Sequence, residues 1–281
     1  MRTVAFYTLG CKVNQYETDA LAGIFKDSGY KVVGFEEKAD VYVINTCTVT
    51  SLSDRKSRQM IRRARNLNKD AIVVAAGCYA QTSPDEVGAM EEVNLVLGTK
   101  ERASIMDYIK EIEEGNDKLS IVGDIAGERK FEDLKIDESS GRTRAHIKIQ
   151  EGCSQFCAYC IIPYARGPVR SRLPEEIVME AGRLSSAGFK EIVLTGIHIA
   201  SYGKDIGNSL GEIIKRVHEV QGIDRIRLGS VEPNIVTDEF LKIIASCEKL
   251  CPHFHVSLQS GCDETLKRMN RKYTTQQYKR A

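Results

Sequence analysis

Along residues 1–112, short runs of β-branched and apolar residues alternate with stretches whose apolar positions recur every three or four places. Residues 3–9, 41–45 and 71–76 read as strands, and 14–28 and 52–68 as amphipathic helices between them. A strand over 93–97 and a helix over 101–112 extend the series. Such alternation predicts an open, mostly parallel α/β sheet. Residues 113–142 are charged, glycine-dotted and weakly periodic, and read as a linker with room for one short strand. From 143 the alternation returns in longer units, with strands over 145–150, 191–195, 225–228 and 255–258. Helices over 174–187, 210–220, 238–246 and 263–269 separate and follow them. Repeated units of this kind build a (β/α) barrel, with its chemistry at the carboxyl ends of the strands. At about 30 residues per unit, 145–281 supplies about four, a partial barrel. Two domains, 1–112 and 143–281, are expected, joined by 113–142.

With 281 residues, 42% hydrophobic and 28% charged, the chain has enough apolar surface for two ordinary cores. Its nine cysteines are spread out rather than packed into a short framework, which argues against a secreted disulfide scaffold. Thiols kept for metal point instead to the reducing cytoplasm. The longest apolar run, near 71–76, is far short of the ~18 residues of a membrane span, so no membrane association is expected. A net charge of +1 gives no bulk attraction to nucleic acid, and any such contact rests on local patches.

The most specific signal is Cys153, Cys157 and Cys160, a Cys-x3-Cys-x2-Cys loop directly after the first strand of the second domain. Structural zinc wants four ligands, usually as two close pairs, and no second pair is near. Three thiolates on a four-iron cluster leave one iron open to chelate the amino and carboxylate groups of S-adenosylmethionine and feed an electron to the sulfonium. Reductive cleavage then yields a 5′-deoxyadenosyl radical. Tyr159, just before the last cysteine, fits a ring packed on the cofactor's adenine. Inert buried thiols are the alternative, disfavoured by number and spacing. Here the sequence resembles the radical S-adenosylmethionine enzymes. Those enzymes use six βα units, so this chain reads as a shortened form of a longer protein with its last strand an open edge.

Cys11, Cys47 and Cys78 are unrelated in linear spacing, yet each ends an expected strand. In a parallel sheet those ends share one edge, where ligand sites form, and Gly10 and Gly77 let backbone approach a bulky inorganic cluster. Small buried hydrophobes at strand ends are the bland alternative.

Two three-cysteine sets, on an α/β domain and a following radical barrel, resemble the methylthiotransferases, which insert a methylthio group into an unactivated C–H bond. The matching stretches are Thr-Leu-Gly-Cys-Lys-Val-Asn-Gln-Tyr-Glu at 8–17, Asn-Thr-Cys-Thr-Val-Thr at 45–50 and Ala-Gly-Cys-Tyr-Ala-Gln at 76–81. In the second domain they are Cys-Ile-Ile-Pro-Tyr-Ala-Arg-Gly-Pro-Val-Arg-Ser-Arg at 160–172, Gly-Ser-Val-Glu-Pro at 229–233 and Leu-Gln-Ser-Gly at 258–261. Around Cys11 and Cys47 the sequence is similar to the branch acting on N6-threonylcarbamoyladenosine at position 37 of tRNA. The isopentenyladenosine branch usually reads Gly-Cys-Gln-Met-Asn there, and the ribosomal-protein aspartate branch Gly-Cys-x-Lys-Asn. The family ends in a small RNA-gripping β-barrel that this chain does not reach.

The resemblance implies two 4Fe-4S clusters, S-adenosylmethionine used both as methyl donor and as radical source, and hydrogen removal from C2 of the adenine. It also implies that both domains face one cavity. An aromatic C–H is too inert for a side-chain base at neutral pH. Partners implied are the tRNA anticodon loop, a reductant such as flavodoxin or ferredoxin, and a sulfur donor of unspecified kind. Thr195 and Gly196, after the second barrel strand, are candidates for the cofactor's amino group, and Glu232 and Gln259 for its methionyl or ribose parts. Each is equally readable as an ordinary strand-end residue. The acid-free run 55–65, centred on Arg62 and Arg63, offers a track for tRNA phosphates or a plain solvated face. Arg166, Arg170 and Arg172 are the stronger candidates for RNA phosphates or the threonyl carboxylate. Cys247, Cys251 and Cys262 lack a fourth partner and read as packing residues. An iron-sulfur electron carrier or an RNA binder is the non-enzyme alternative.

Overall fold

Strand β1 (Thr3–Thr8) leads to helix α1 (Lys12–Asp27), a short strand β2 (Lys31–Val33) and strand β3 (Val41–Thr46). The computed structural model describes residues 1–134 and 143–281. Helix α2 (Ser51–Leu67), strand β4 (Ile72–Gly77), short helices α3 (Cys78–Thr82) and α4 (Pro84–Gly88), strand β5 (Leu95–Leu97), helix α5 (Ile105–Glu113) and strand β6 (Leu119–Ile121) follow. Among the described residues six parallel strands form one sheet in the order β2-β1-β3-β4-β5-β6.

The sequence dictates this layering. Strands β3 and β4 are buried along their whole length, as near-continuous apolar strands covered on both faces must be. Alternate residues serve opposite faces. Tyr42, Ile44, Val73 and Ala75 pack with Met60, Ile61 and Ala64 of α2. Val41, Val43, Ile72 and Val74 pack with Leu21 and Phe25 of α1 and Ile105 and Ile109 of α5. Helix α2 starts where the Thr50 side chain accepts from the Ser53 N–H, satisfying one of the orphan donors of its first turn. β6 falls in the stretch read as a linker, and Leu134 in the same stretch is buried, its carbonyl accepting from the Tyr16 hydroxyl at 2.5 Å. The end of the expected linker, residues 135–142, lies outside the described residues.

The second unit begins with β7 (Ala145–Glu151) and the cysteine loop, followed by α6 (Ile162–Arg166), β8 (Arg170–Ser171), α7 (Pro174–Ser186) and β9 (Glu191–Gly196). It continues with α8 (Leu210–His218), β10 (Arg225–Leu228), α9 (Asp238–Ala245), α10 (Asp263–Arg268) and α11 (Thr275–Arg280). Among the described residues its sheet runs β10-β9-β7-β8, parallel except for the antiparallel edge pair Gln150–Ser171 and Glu151–Arg170. Ile147, Ile192, Leu194 and Ile226 form its core with Ile177 and Leu184 of α7 and Ile213 and Val217 of α8. Residues Tyr164–Arg166 count with the first unit.

The strand expected over 255–258 is a single parallel bridge, Val231 to Val256. Two bonds to Val231 are made, but the Val256 and Ser257 carbonyls accept from the hydroxyls of Tyr278 and Tyr273, at 3.0 and 2.9 Å. Side-chain donors occupy the acceptors a neighbouring strand would use. Among the described residues no helix is long and apolar enough to cross a membrane.

Candidate functional site

Strands β1, β3 and β4 are neighbours, with Thr8 opposite Asn45 and Thr46 opposite Gly77. Their carboxyl ends therefore bring Cys11, Cys47 and Cys78 to one edge of the first sheet, as the strand-end reading expects. Cys11 is the residue before α1 and Cys78 the first of α3, so both stand where a helix leaves backbone N–H groups unsatisfied. Gly10 has φ +99°, and a Cβ built there would lie 3.0 Å from Cys47 Sγ, so only glycine fits this close approach.

Asn14 ties the ends of β1 and β3 together. Its amide nitrogen donates to the carbonyls of Leu9, at 2.8 Å, and Thr46, at 2.9 Å, while its oxygen faces Cys11 Sγ at 3.5 Å. Arg166 reaches the same place. Its Nε lies 3.0 Å from Cys78 Sγ, one terminal nitrogen donates to Asn14 Oδ1 at 2.8 Å, and both engage the Glu17 carboxylate. Glu17 also meets Arg102 at 2.6 Å, and Arg102 Nε donates to Glu132 at 2.8 Å. Burial pushes the Cys78 thiol up to about 11 against the pull of Arg166.

In the second unit the loop after β7 is held by its backbone. The Cys153 N–H donates to Gly167 O at 2.9 Å, Cys160 N–H to Cys157 O at 3.0 Å, and Ala158 N–H to Met269 O at 3.0 Å. Gly152, at φ +71°, packs so closely on the Gly167 and Pro168 carbonyls that no side chain fits. Phe156 and Asn270 both adopt positive φ, and the Asn270 amide donates to Phe156 O at 2.8 Å, pinning the loop tip. Beside the loop, Arg271 donates to Cys157 Sγ at 3.3 Å and to Glu232 Oε1. The other Glu232 oxygen lies 3.2 Å from His198 Nε2, and the His198 N–H donates to Gln150 Oε1 at 2.6 Å. Burial would raise the Glu232 carboxyl, but His198 and Arg271 outweigh it and hold it below the usual range. Burial likewise pushes the Cys153 thiol up to about 11 and raises that of Cys160.

Both triads suit a cationic inorganic cluster. Burial disfavours the bare thiolates of Cys78, Cys153 and Cys160, and binding metal is what releases such protons. The Arg271 Nε is buried without an acceptor among the described residues, a donor that an anionic cofactor group would satisfy. Among the described residues no three His, Cys, Asp or Glu side chains converge tightly enough to hold a single metal ion. A four-iron cluster spans a wider space than one ion.

Other expected site residues fall differently. Tyr159 is exposed by 54%, Gln259 is exposed, and Thr195 is buried at the end of β9 with Gly196 against Gln150. Arg166 and Arg172 do not reach outward to RNA phosphate or a substrate carboxylate. Both are fully buried, Arg166 on Glu17 and Arg172 on Glu180, because a carboxylate on a packed helix face claims each guanidinium. Arg170 is buried too, donating to Pro168 O at 3.3 Å. Along α2, Arg58 binds Tyr79 and Glu86, and Arg65 binds the Lys69, Ala71 and Glu92 carbonyls. Arg62 and Arg63 remain over half exposed, against Glu92 and Glu36. Of the three cysteines read as packing residues, Cys247 is buried in the second core, whereas Cys251 is only partly buried and Cys262 is exposed, because it stands at the open start of α10. Sequence reasoning missed Asn14, Glu17, Arg102, His198, Asn270 and Arg271. The available signal was Glu17, an acid on the apolar stripe formed by Val13, Tyr16, Ala20 and Leu21 of α1.

Comparison with known proteins agrees with this layout. "Uncharacterized protein family UPF0004" matches residues 3–98, and the Radical SAM superfamily matches 147–281. The chain is 48% identical over 276 residues to the threonylcarbamoyladenosine tRNA methylthiotransferase MtaB of Bacillus subtilis (strain 168), covering 98% of this chain and 61% of the relative. Identity to the protein of the same name from Aquifex aeolicus (strain VF5) is 46% over 275 residues, 98% of this chain and 67% of the relative. The chain thus spans about two thirds of the length of these relatives. In fold it is similar to the radical S-adenosylmethionine methyltransferase TsrM from Kitasatospora setae. The TM-score is 0.71 at 17% identity, covering 99% of this chain and 66% of that one.

Proposed function

Because the chain belongs to the radical S-adenosylmethionine methylthiotransferase family, we propose that it places a methylthio group on C2 of N6-threonylcarbamoyladenosine at position 37 of tRNA, next to the anticodon. The observation that carries this reading is the pair of three-cysteine sites. One stands at the ends of three adjacent strands, and the other on a backbone-pinned loop after the first strand of a second sheet.

Membership of the radical superfamily brings one 4Fe-4S cluster and S-adenosylmethionine, and we assign these to Cys153, Cys157 and Cys160. Bound there, they supply an oxidant able to take an aromatic hydrogen that no side-chain base can remove. Arg271, with an open buried donor, offers itself to the cofactor's carboxylate, held in place by Glu232 and His198. Thr195 and Gly196 close the β9 end of the same region, and the exposed ring of Tyr159 is available to the adenine. Cys11, Cys47 and Cys78 hold a second 4Fe-4S cluster. Arg62 and Arg63, exposed on α2 as are Arg55 and Lys56, are offered to tRNA phosphate. A low-potential reductant such as flavodoxin or ferredoxin completes the set of partners, in the cytoplasm where tRNA is modified.

Asn14 is common to the motifs of all three branches of the family, and its bonds to both neighbouring strand ends explain that. The branches differ at Lys12 and Val13, and these residues, with the context of Cys47, favour the threonylcarbamoyl substrate. The test is anaerobic reconstitution with dithionite and S-adenosylmethionine, followed by nucleoside mass spectrometry of threonylcarbamoyl-modified and isopentenyl-modified tRNA. A methylthio gain on the threonylcarbamoyl nucleoside alone is expected. A gain on the isopentenyl nucleoside would reassign the branch, and absence of both products and of 5′-deoxyadenosine would leave an electron carrier.

A further inference from the structure

In each cysteine triad, one sulfur accepts a hydrogen bond from an arginine, and that arginine is itself gripped by a buried glutamate. In the first unit the pair is Arg166 and Cys78, 3.0 Å apart, with Glu17 behind. In the second it is Arg271 and Cys157, 3.3 Å apart, with Glu232 behind. Arg166 is fully buried, the Arg271 side chain is 7% exposed, and both glutamates are buried with them. The two sites lie on different sheets with different connectivity, so the shared arrangement does not follow from one local fold.

We propose that Arg166 and Arg271 are positioning residues that set the reduction potentials of the clusters held by their respective triads, each donating an N–H to one ligating sulfur. The inference rests on the reading that both triads bind clusters. An N–H aimed at a ligating sulfur draws charge from it and stabilises the more negative, reduced state, which raises the potential. Burial strengthens the effect, since little water competes or screens. The glutamate has two jobs. It fixes the guanidinium plane through its oxygens, and it cancels the added charge, so the directional bond to sulfur is what remains. At the first site Arg166 and Arg102 stand against Glu17 and Glu132. Arginine is required because a planar fork can hold a carboxylate and a sulfur at once, whereas a lysine ammonium is a point donor. Asn14 adds to the aim, accepting from Arg166 while its own amide is committed to Leu9 and Thr46.

The test uses two full-length backgrounds, each reconstituted anaerobically with iron and sulfide. In one, Cys153, Cys157 and Cys160 are alanine, and in the other Cys11, Cys47 and Cys78 are. Iron content is measured first, and potentiometric titration followed by electron paramagnetic resonance then gives the midpoint of the one remaining cluster. Arg166→Gln is expected to lower the midpoint of the strand-end cluster and leave that of the loop cluster unmoved. Arg271→Gln is expected to do the reverse. Arg166→Lys and Arg271→Lys, which keep the charge and much of the volume, are expected to lower the same midpoints by a smaller shift. They decide the matter should a glutamine variant fold poorly by circular dichroism. Unchanged midpoints in the lysine variants at full iron content would overturn the proposal. A parent background that takes up no iron would instead overturn the reading of that triad, and the arginine's role with it.

Discussion

Glu17→Gln removes the one carboxylate shared by two buried guanidinium groups, and its cost follows from the geometry. Glu17 and Arg166 have no solvent exposure and Arg102 has 1%. Arg102 also pairs with Glu132, and the substitution removes the negative charge that Arg166 and Arg102 share. Breaking a buried ion pair by removing one partner costs about 3–5 kcal/mol, because the remaining charge keeps its desolvation penalty. Arg166 loses this carboxylate and Arg102 keeps Glu132, and the amide that replaces Glu17 still accepts one bond, so about 4 kcal/mol is the expected loss. With a urea dependence of about 1–3 kcal/mol per molar, the unfolding midpoint falls by roughly 1–4 M. The chain has no tryptophan, so far-ultraviolet circular dichroism is the appropriate probe. Glu175→Gln, which opens the exposed pair with Arg216, serves as the control and should leave the midpoint in place. Adding Arg166→Met to Glu17→Gln should recover part of the loss by removing a stranded charge. A Glu17→Gln midpoint no lower than that of the control would refute the claim that this carboxylate neutralises the strand-end site.

Three further outcomes are expected. Gly10→Ala forces a side chain into a left-handed backbone at φ +99° and against Cys47, costing about 1–2 kcal/mol and lowering iron uptake at the strand-end triad, as read in the background without loop cysteines. Replacing Arg62 and Arg63 together by glutamate should weaken tRNA binding and reduce the salt dependence of the affinity by a slope of roughly 1–2, measured by filter binding across a salt series. In the metal-free chain Cys262, exposed and with its thiol lowered by the backbone N–H of Thr265, should be alkylated at neutral pH well before Cys247, whose thiol is raised by burial. Peptide mass spectrometry gives the order directly.

Both triads were legible in the sequence, for different physical reasons. Cys153, Cys157 and Cys160 are close in the chain, so their spacing alone restricts the chemistry. Cys11, Cys47 and Cys78 became a set only because apolar runs marked strand ends and parallel order puts those ends together. A charge in a motif suggests a ligand outside the protein, whereas Arg166 and Arg172 turn inward, Arg166 to a carboxylate far away in the chain and Arg172 to Glu180 eight positions on. Glu17 is 149 positions from Arg166, beyond the reach of any local pattern. Arg271 and Asn270 carry no periodic or spacing signal, and their role emerges only where the turn after α10 meets the cysteine loop. Residues 255–258 alternate as a strand should, yet tyrosine hydroxyls take two of the carbonyls a ladder would need.

On the proposed function, hydrogen leaves C2 of a modified adenosine through a cofactor held at Cys153, Cys157 and Cys160. The most direct measurement uses threonylcarbamoyl-modified tRNA deuterated at that carbon, with mass spectrometry of the 5′-deoxyadenosine produced. Deuterium is expected in 5′-deoxyadenosine, together with loss of deuterium from the methylthiolated nucleoside. 5′-Deoxyadenosine formed in quantity but free of deuterium, with the nucleoside unchanged, would contradict the proposed function.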